Sequence, residues 1–330
     1  MSRIWDGRLV IVADPLPDIM PTFTFDRSID QPTQRVVEEL LAVARKFCRE
    51  TVLLNSPAEL SYRYREFTDS LIFPYWFGRK QRSRHAYVPG LCEACGLMFV
   101  GADAFTKTVC NDKELSKAVC RLSGLSVPSS IVVNSREDLE LCCALDFPVF
   151  AKPNFEGTSL GITERNVCAT LAEVEVIFSQ IQRELGQPVI VEEYIDGIEF
   201  SAAFLVGRDR ILHGASCWML DGKPFGGVYD WRLKRGEQLT PGLFEVSRSD
   251  FWDRAKKALS YFEKTGLFRI DCRVRDGEPV VIELTPDIYL GADGEFVSAL
   301  SNAGGTYPDV IGIIIRDSLE WYGAEMPVGD

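Results

Sequence analysis

The sequence predicts an α/β fold with added α+β elements, its first third built on a mostly parallel sheet. Two observations lead there. Short apolar runs alternate with stretches of helical period early in the chain, the signature of a parallel sheet covered by helices. Farther on, apolar runs joined by Gly207-Arg208-Asp209 and by Asp276-Gly277 read as hairpins of antiparallel strands. At 330 residues the chain is long enough for two or three packed units.

Taken in order, Leu9 to Ala13 is a short apolar strand. Pro32 to Glu50 carries Val36, Val37, Leu40, Leu41, Ala44 and Phe47 at helical spacing. Val52 to Leu54, Leu71 to Phe73 and Met98 to Val100 continue the strands. Asn111 opens a helix with Glu114 three residues on, and Gly124 closes it. After the strand Ile131 to Val133, Ser135 caps the next helix, and Val149 to Lys152 is another strand. Thr170 with Glu173 caps a helix that stops at Gly186, followed by the strand Val189 to Glu193. Phe200 to Val206 and Arg210 to Cys217 form the first hairpin, and the polar, glycine-rich segment from Asp221 to Gly242 is long enough for a lid. A helix begins near Asp250, the second hairpin follows, and Pro308 starts the last helix at a favoured first-turn position.

The formal net charge of −12 argues against a nucleic-acid surface, which needs a basic face. No apolar run reaches the length of a membrane span. The ten cysteines, including Cys92 and Cys95, lack the second pair or histidines of a zinc site. With no secretory signal, they read as reduced thiols of a cytoplasmic protein.

The second hairpin carries the chemistry. Arg269-Ile270-Asp271 sits on one strand and Val281-Ile282-Glu283-Leu284-Thr285 on the next, so Asp271 and Glu283 can come side by side. Two carboxylates about 4 Å apart repel by about 4 kcal/mol at an effective dielectric of about 20, so a cation is needed between them. All-oxygen ligation suits Mg²⁺ or Mn²⁺, which takes the rest of its shell from water and substrate phosphates. Lys152-Pro153 ends a strand and leads into Glu156-Gly157-Thr158-Ser159-Leu160-Gly161, where glycines, hydroxyls and a nearby ammonium suit a triphosphate. It matches neither the P-loop nor the dinucleotide glycine pattern. Glu192-Glu193-Tyr194-Ile195 ends another strand, with Glu199 just beyond, and could hold an adenine edge and ribose hydroxyls.

In this order, the segments resemble the ATP-grasp superfamily, most nearly the D-alanine-D-alanine ligases. The matching stretches are Asn111 to Lys113 with Lys117, Phe147 to Pro153, Glu156 to Gly161, Val189 to Glu199, Tyr229 to Lys234, Arg269 to Asp271 and Val281 to Thr285. The resemblance implies a three-domain architecture: an N-terminal substrate domain over 1–103, a central subdomain over 104–190 and a C-terminal subdomain with the metal site over 191–330. It implies ATP as the nucleotide, with Lys113 and Lys152 on its phosphates and Thr158 and Ser159 in the loop closing over them. Glu192 and Ile195 would sit at the adenine and Glu199 at the ribose. Lys234 would reach the γ-phosphate from the lid, Asp271 and Glu283 would hold metal, and Arg269 would face the reacting carboxyl. A homodimer is implied as well.

The implied activity is an ADP-forming carboxylate-amine ligase working through an acyl phosphate on small amino-acid-like substrates. Ring closure within one substrate and a nucleotide-binding module without turnover are the alternatives. Two departures bear on this. Thr285 stands where the family has its third metal-facing residue, an asparagine, so Asp287 or water is expected to compensate. The segment from Phe77 to Gly90 lacks the family's N-terminal pattern, which points away from D-alanine as substrate, and its Arg79, Lys80, Arg82 and Arg84 are expected to meet an anionic substrate group.

Overall fold

The computed structural model describes residues 3–18, 23–78, 82–230, 232–233, 239–248 and 250–326. The first sheet, ordered β2-β1-β3-β4, is parallel throughout and built from β1 (Trp5–Val12), β2 (Cys48–Leu54), β3 (Leu71–Pro74) and β4 (Met98–Phe99). Helices α1 (Gln34–Ala44), α2 (Pro57–Arg63) and α3 (Tyr87–Cys95) connect these strands and cover the sheet. Its strands alternate which face they fill. Leu9, Ile11, Leu71 and Phe73 pack toward α1, while Val10, Val12 and Ile72 pack with Leu60 of α2 and Val88 and Cys92 of α3.

After α4 (Ala104–Asn111) and α5 (Lys113–Ser123), β5 (Ser130–Val133), β6 (Val149–Pro153), β7 (Val167–Cys168) and β8 (Val189–Glu193) form an antiparallel sheet in the order β5-β8-β6-β7. Its apolar face is covered by α6 (Leu171–Leu185), through Val174, Ile177, Phe178 and Ile181. The third sheet has β9 (Glu199–Val206), β10 (Ile211–Leu220), β11 (Lys223–Pro224), β12 (Leu239–Leu243), β13 (Leu267–Arg275) and β14 (Glu278–Thr285). Its order is β11-β10-β9-β13-β14, with β12 also pairing β10. Helix α7 (Phe251–Leu259) packs on one side, and α8 (Glu295–Gly304) and α9 (Tyr307–Trp321) on the other. The core that includes Ile311 and Ile315 of α9 runs on to Leu40 of α1 and Leu205 of β9, joining the first and third sheets.

Most local signals hold. Asp276 and Gly277 both adopt positive φ, as a tight hairpin of right-twisted strands requires. Thr170 and Glu173 form the reciprocal capping box, and Gly186 ends α6 in the left-handed region. Three expectations need correction. The helix expected over Pro32 to Glu50 stops at Ala44, because the Phe47 carbonyl accepts from the backbone N–H groups of Ile4 and Trp5 and Cys48 already pairs with Trp5. The cap of α5 is Asp112, whose carboxylate accepts from Glu114 and Leu115 N–H, while the Asn111 amide donates to the Arg82 carbonyl. Ser135 does form a capping box with Asp138, but the turns after it are 3₁₀.

The approach of α8 to β10 is close enough to exclude a side chain. A Cβ at Gly214 would lie 1.9 Å from the Ala299 carbonyl oxygen. Gly214→Ala is therefore expected to cost about 1–3 kcal/mol, the usual range for an overpacked core, read as a shift in the denaturation midpoint.

Candidate active site

Alternation along β13 sends Arg269, Asp271 and Arg273 to one face, and β9 contributes Glu199 and Ser201 beside them. The register pairs Asp271 with Glu283 on one flank and with Ser201 on the other, and Arg273 with Glu199. A bulge follows, since Cys272 pairs with Val281 and Ile282 is left over. Bulges re-aim side chains, and here both Ile282 and Glu283 line the cleft.

Each of the paired carboxylates has its own cation. Arg269 grips both oxygens of Asp271, Nε at 2.8 Å and Nη2 at 2.9 Å, and the Ser201 hydroxyl donates to the same carboxylate at 2.8 Å. Glu283 takes the Lys113 ammonium at 2.9 Å. Burial pushes the Glu283 carboxyl toward neutrality, but Lys113 outweighs it and holds the group below its usual range. Glu295, the first residue of α8, reaches Ser201 at 3.3 Å and Arg269 Nη1 at 3.7 Å.

Above this floor stands the loop after β6. Thr158 and Ser159 both have positive φ, 51° and 60°, which costs a side-chain-bearing residue of the order of 1 kcal/mol or more. Their hydroxyls hold the conformation: Thr158 donates to Asp30 at 3.1 Å and Ser159 to the Tyr229 carbonyl at 2.7 Å. Glu156 anchors the loop from below. Its carboxylate takes Arg84 at 2.9 Å, Arg27 at 3.2 Å and the Gln187 amide at 2.6 Å, and its carbonyl accepts from Lys113.

At the other end, Glu192 is buried between Lys117 and Lys152, the latter at 2.5 Å. Burial alone would raise its pKa, yet the two lysines keep it below the ordinary value. Burial pushes Lys117 down to about 8 against the pull of Glu192. Glu193 pairs with Arg275, the Tyr194 ring stacks on Phe150, and Ile195 is buried at the cleft wall. The cleft opens to solvent, and the space within it, counted out through its mouth, is about 950 Å³.

Of the residues singled out from sequence, Lys113, Lys152, Glu156, Gly157, Thr158, Ser159, Glu192, Glu193, Tyr194, Ile195, Glu199, Arg269, Asp271 and Glu283 all line this one cleft. Thr285 pairs with Arg269 across the hairpin, but its hydroxyl accepts from the Asp287 N–H at 3.3 Å. Lys234 lies outside the described residues, as do Arg79 and Lys80. Asp287 is not poised as a metal ligand, because its carboxylate is held by His85 Nδ1 at 2.6 Å and by Lys107. Of the cations expected to bind an anionic substrate group, the two described ones meet anions of the protein instead. Arg84 is buried against Asp30, Glu156 and the Phe155 carbonyl, and Arg82 bonds Asp112 and lies over the Phe155 ring. Among the described residues, no three His, Cys, Asp or Glu side chains are grouped to hold a metal. Two adjacent hard-oxygen donors suit Mg²⁺ or Mn²⁺ completed by phosphate and water rather than an all-protein cage.

The family model for the D-ala D-ala ligase C-terminus matches residues 125–316, more than half of the chain. The chain belongs to that family. It is an ATP-grasp ligase of the ADP-forming type. A D-alanine–D-alanine ligase A of Bacillus cereus is 27% identical over 244 residues, which cover 71% of this chain and 76% of that one. In fold, the ATP-grasp ligase is similar to the crystal structure of the Bacillus anthracis D-alanine–D-alanine ligase complexed with ATP. There the TM-score is 0.69 at 18% identity, covering 95% of this chain and 98% of the other. The VanG D-Ala:D-Ser ligase of Enterococcus faecalis gives a TM-score of 0.63 at 18% identity, covering 95% and 99%.

Sequence reading of this ligase missed Ser201, Arg273 and Glu295. The first two were within reach, because they sit two residues along a strand from Glu199 and Asp271 and so share their face. Glu295 had no such signal, since its place depends on how α8 docks against β9 and β10.

Proposed function

We propose that this ligase joins a carboxylate to an amine through an acyl phosphate, using ATP and Mg²⁺ or Mn²⁺ and two small amino-acid-like substrates other than two D-alanines. The single observation that carries this reading is the opposed pair Asp271 and Glu283, flanked by Arg269 and Lys113 on the floor of one cleft. The relatives' names support the substrate class, since they join D-alanine to D-alanine or to D-serine.

In this reading Lys113 and Lys152 bind phosphate oxygens, and the loop from Glu156 to Ser159 covers them. Glu192 and Ile195 sit at the adenine with Glu193 and Tyr194 beside them, and Glu199 meets the ribose. Asp271 and Glu283, with Thr285 or water, would hold a divalent ion, which when bound would neutralise charge on the phosphates. A carboxylate attacking a triphosphate brings anions together, so these cations must lower the repulsion. Arg269 holds the reacting carboxyl and then faces the oxyanion formed as the amine adds. Lys234 belongs to the same set through its place in the lid. The division into 1–103, 104–190 and 191–330 is part of the same proposal, its second boundary falling within β8 of the central sheet, as are the paired subunit and the cytoplasmic setting. Ten free thiols, eight of them buried, support a reducing compartment. Among the described residues no helix is long and apolar enough to cross a membrane.

The test is ADP release with a panel of single acids and acid-amine pairs. Turnover only with pairs supports the proposal. One compound sufficing would mean ring closure, and absence of any substrate-dependent ADP would mean a binding module.

A further inference from the structure

Arg273 is a buried arginine that none of the steps above uses. Its guanidinium Nη2 donates to two successive carbonyls, Gly226 at 2.8 Å and Gly227 at 2.9 Å. Those glycines begin the segment that passes over the cleft, where Val228 and Tyr229 form part of its wall. The same guanidinium lies 5.4 Å from the centre of the Tyr194 ring, and its Nε is 3.9 Å from the Glu199 carboxylate. That Nε is buried and makes no hydrogen bond. One side chain thus touches the cleft's aromatic wall, a carboxylate beside it and the base of the overhanging segment.

Placing a charge against neutral carbonyls inside a protein costs desolvation, so the arrangement is maintained only if the two hydrogen bonds and the nearby carboxylate offset it. Packing reinforces it. The turn before β9 is pressed against β13, since a Cβ at Gly197 would lie 2.0 Å from the Val274 carbonyl, and Gly226 comes within ordinary contact range of that turn, a Cβ placed on it lying 3.8 Å from the Gly197 carbonyl. At its far end the segment meets the phosphate-side loop through the Ser159 hydroxyl and the Tyr229 carbonyl. The two flaps therefore touch, and Arg273 fixes the hinge side of one of them.

We infer that Arg273 is a positioning residue that straps the lid at Gly226 and Gly227 to the nucleotide seat at Tyr194 and Glu199, so that closure over the cleft is linked to occupancy of that seat. The inference rests on the nucleotide reading of the cleft. Its chemical purpose is exclusion of water: an acyl phosphate met by water instead of the amine returns the free acid and inorganic phosphate, and the ATP is spent without product.

The test is limited tryptic digestion of the full chain, following cleavage after Lys223 and Arg232 in the lid and after Arg121 on α5 as a reference. It is run without nucleotide and with saturating ATP and Mg²⁺. Arg273→Gln is expected to speed lid cleavage by about tenfold or more in the nucleotide-free protein and to remove the protection that ATP and Mg²⁺ confer on the wild type, because cleavage follows the population of the open segment. Arg273→Lys, which keeps a donor cation, should restore much of that protection. Lid cleavage equal to wild type in Arg273→Gln would overturn the inference, as would an equal rise at Arg121, which would mean loss of fold. If the wild type shows no response to ATP and Mg²⁺, the nucleotide reading fails, while the nucleotide-free comparison still decides whether Arg273 holds the lid.

Discussion

Asp271→Asn is expected to reduce ADP release by about 10³-fold, with the Mg²⁺ needed for half-maximal rate moved upward, and Glu283→Gln is expected to do the same. The reasoning starts from charge. A divalent ion at a phosphoryl oxygen is worth several kcal/mol of transition-state stabilisation, and each 1.36 kcal/mol is tenfold in rate. Replacing one of two carboxylates by an amide weakens the hold on that ion and leaves Arg269 or Lys113 with one anion fewer. For Asp271→Asn the protein itself should survive, because Glu295 stands 3.7 Å from Arg269 and remains as a counter-charge. The measurement is coupled ADP release against Mg²⁺ concentration, with a thermal melt alongside. A rate within a few-fold of wild type at ordinary Mg²⁺ would remove the hairpin from the metal site.

That hairpin also shows what a sequence can carry. Asp271 and Glu283 were legible because three local facts fix their relation: strand alternation, the Asp276-Gly277 turn and the apolar runs on either side. The same holds for the loop after Lys152 and for the capping box at Thr170. The ion pairs were not legible. Arg84 meets Asp30 across 54 positions and Glu156 across 72, and nothing near Arg84 in the chain marks it as a buried residue rather than a solvated one. Four cations between Arg79 and Arg84 suggested a surface for anionic substrate, and the anions that Arg82 and Arg84 meet belong to the protein. Asp112 displaced Asn111 as helix cap for a similar reason, since its carboxylate also serves Arg82 and Asn154. Local period and turn chemistry determine elements. Long-range charge partners emerge only when the elements dock.

The largest effect on stability is expected from that docked network, at Asp287→Asn. Asp287 follows the β13–β14 hairpin and is held by His85 and Lys107, while His85 Nε2 lies 3.6 Å from Asp30, the acceptor for both Arg84 and the Thr158 hydroxyl. Phe77 closes the apolar side of the imidazole. Removing one member of a buried pair leaves its partner uncompensated, so a loss of about 3–5 kcal/mol is expected, read from urea midpoints. The pH dependence follows from the same groups. Burial works against the charged form of His85, but Asp287 and Asp30 outweigh it and raise the pKa above 6.5. Its contribution is therefore complete below pH 6.5 and lost as pH rises through the raised value. Burial also opposes the charged forms of Asp30 and Asp287, yet His85 with Arg84 or Lys107 depresses both below the ordinary 3.8, so their contribution is complete above that and lost as pH falls below it. This network should be strongest between those limits, and Asp287→Asn should flatten the alkaline side of the stability curve above pH 6.5. An unchanged midpoint at pH 6, or a variant that keeps the wild-type alkaline slope, would show that His85 draws its charge from elsewhere. Because Asp30 accepts from Thr158, loosening this network also frees the loop after β6 that lines the cleft, so the variant should weaken ATP binding without touching any residue of the cleft floor.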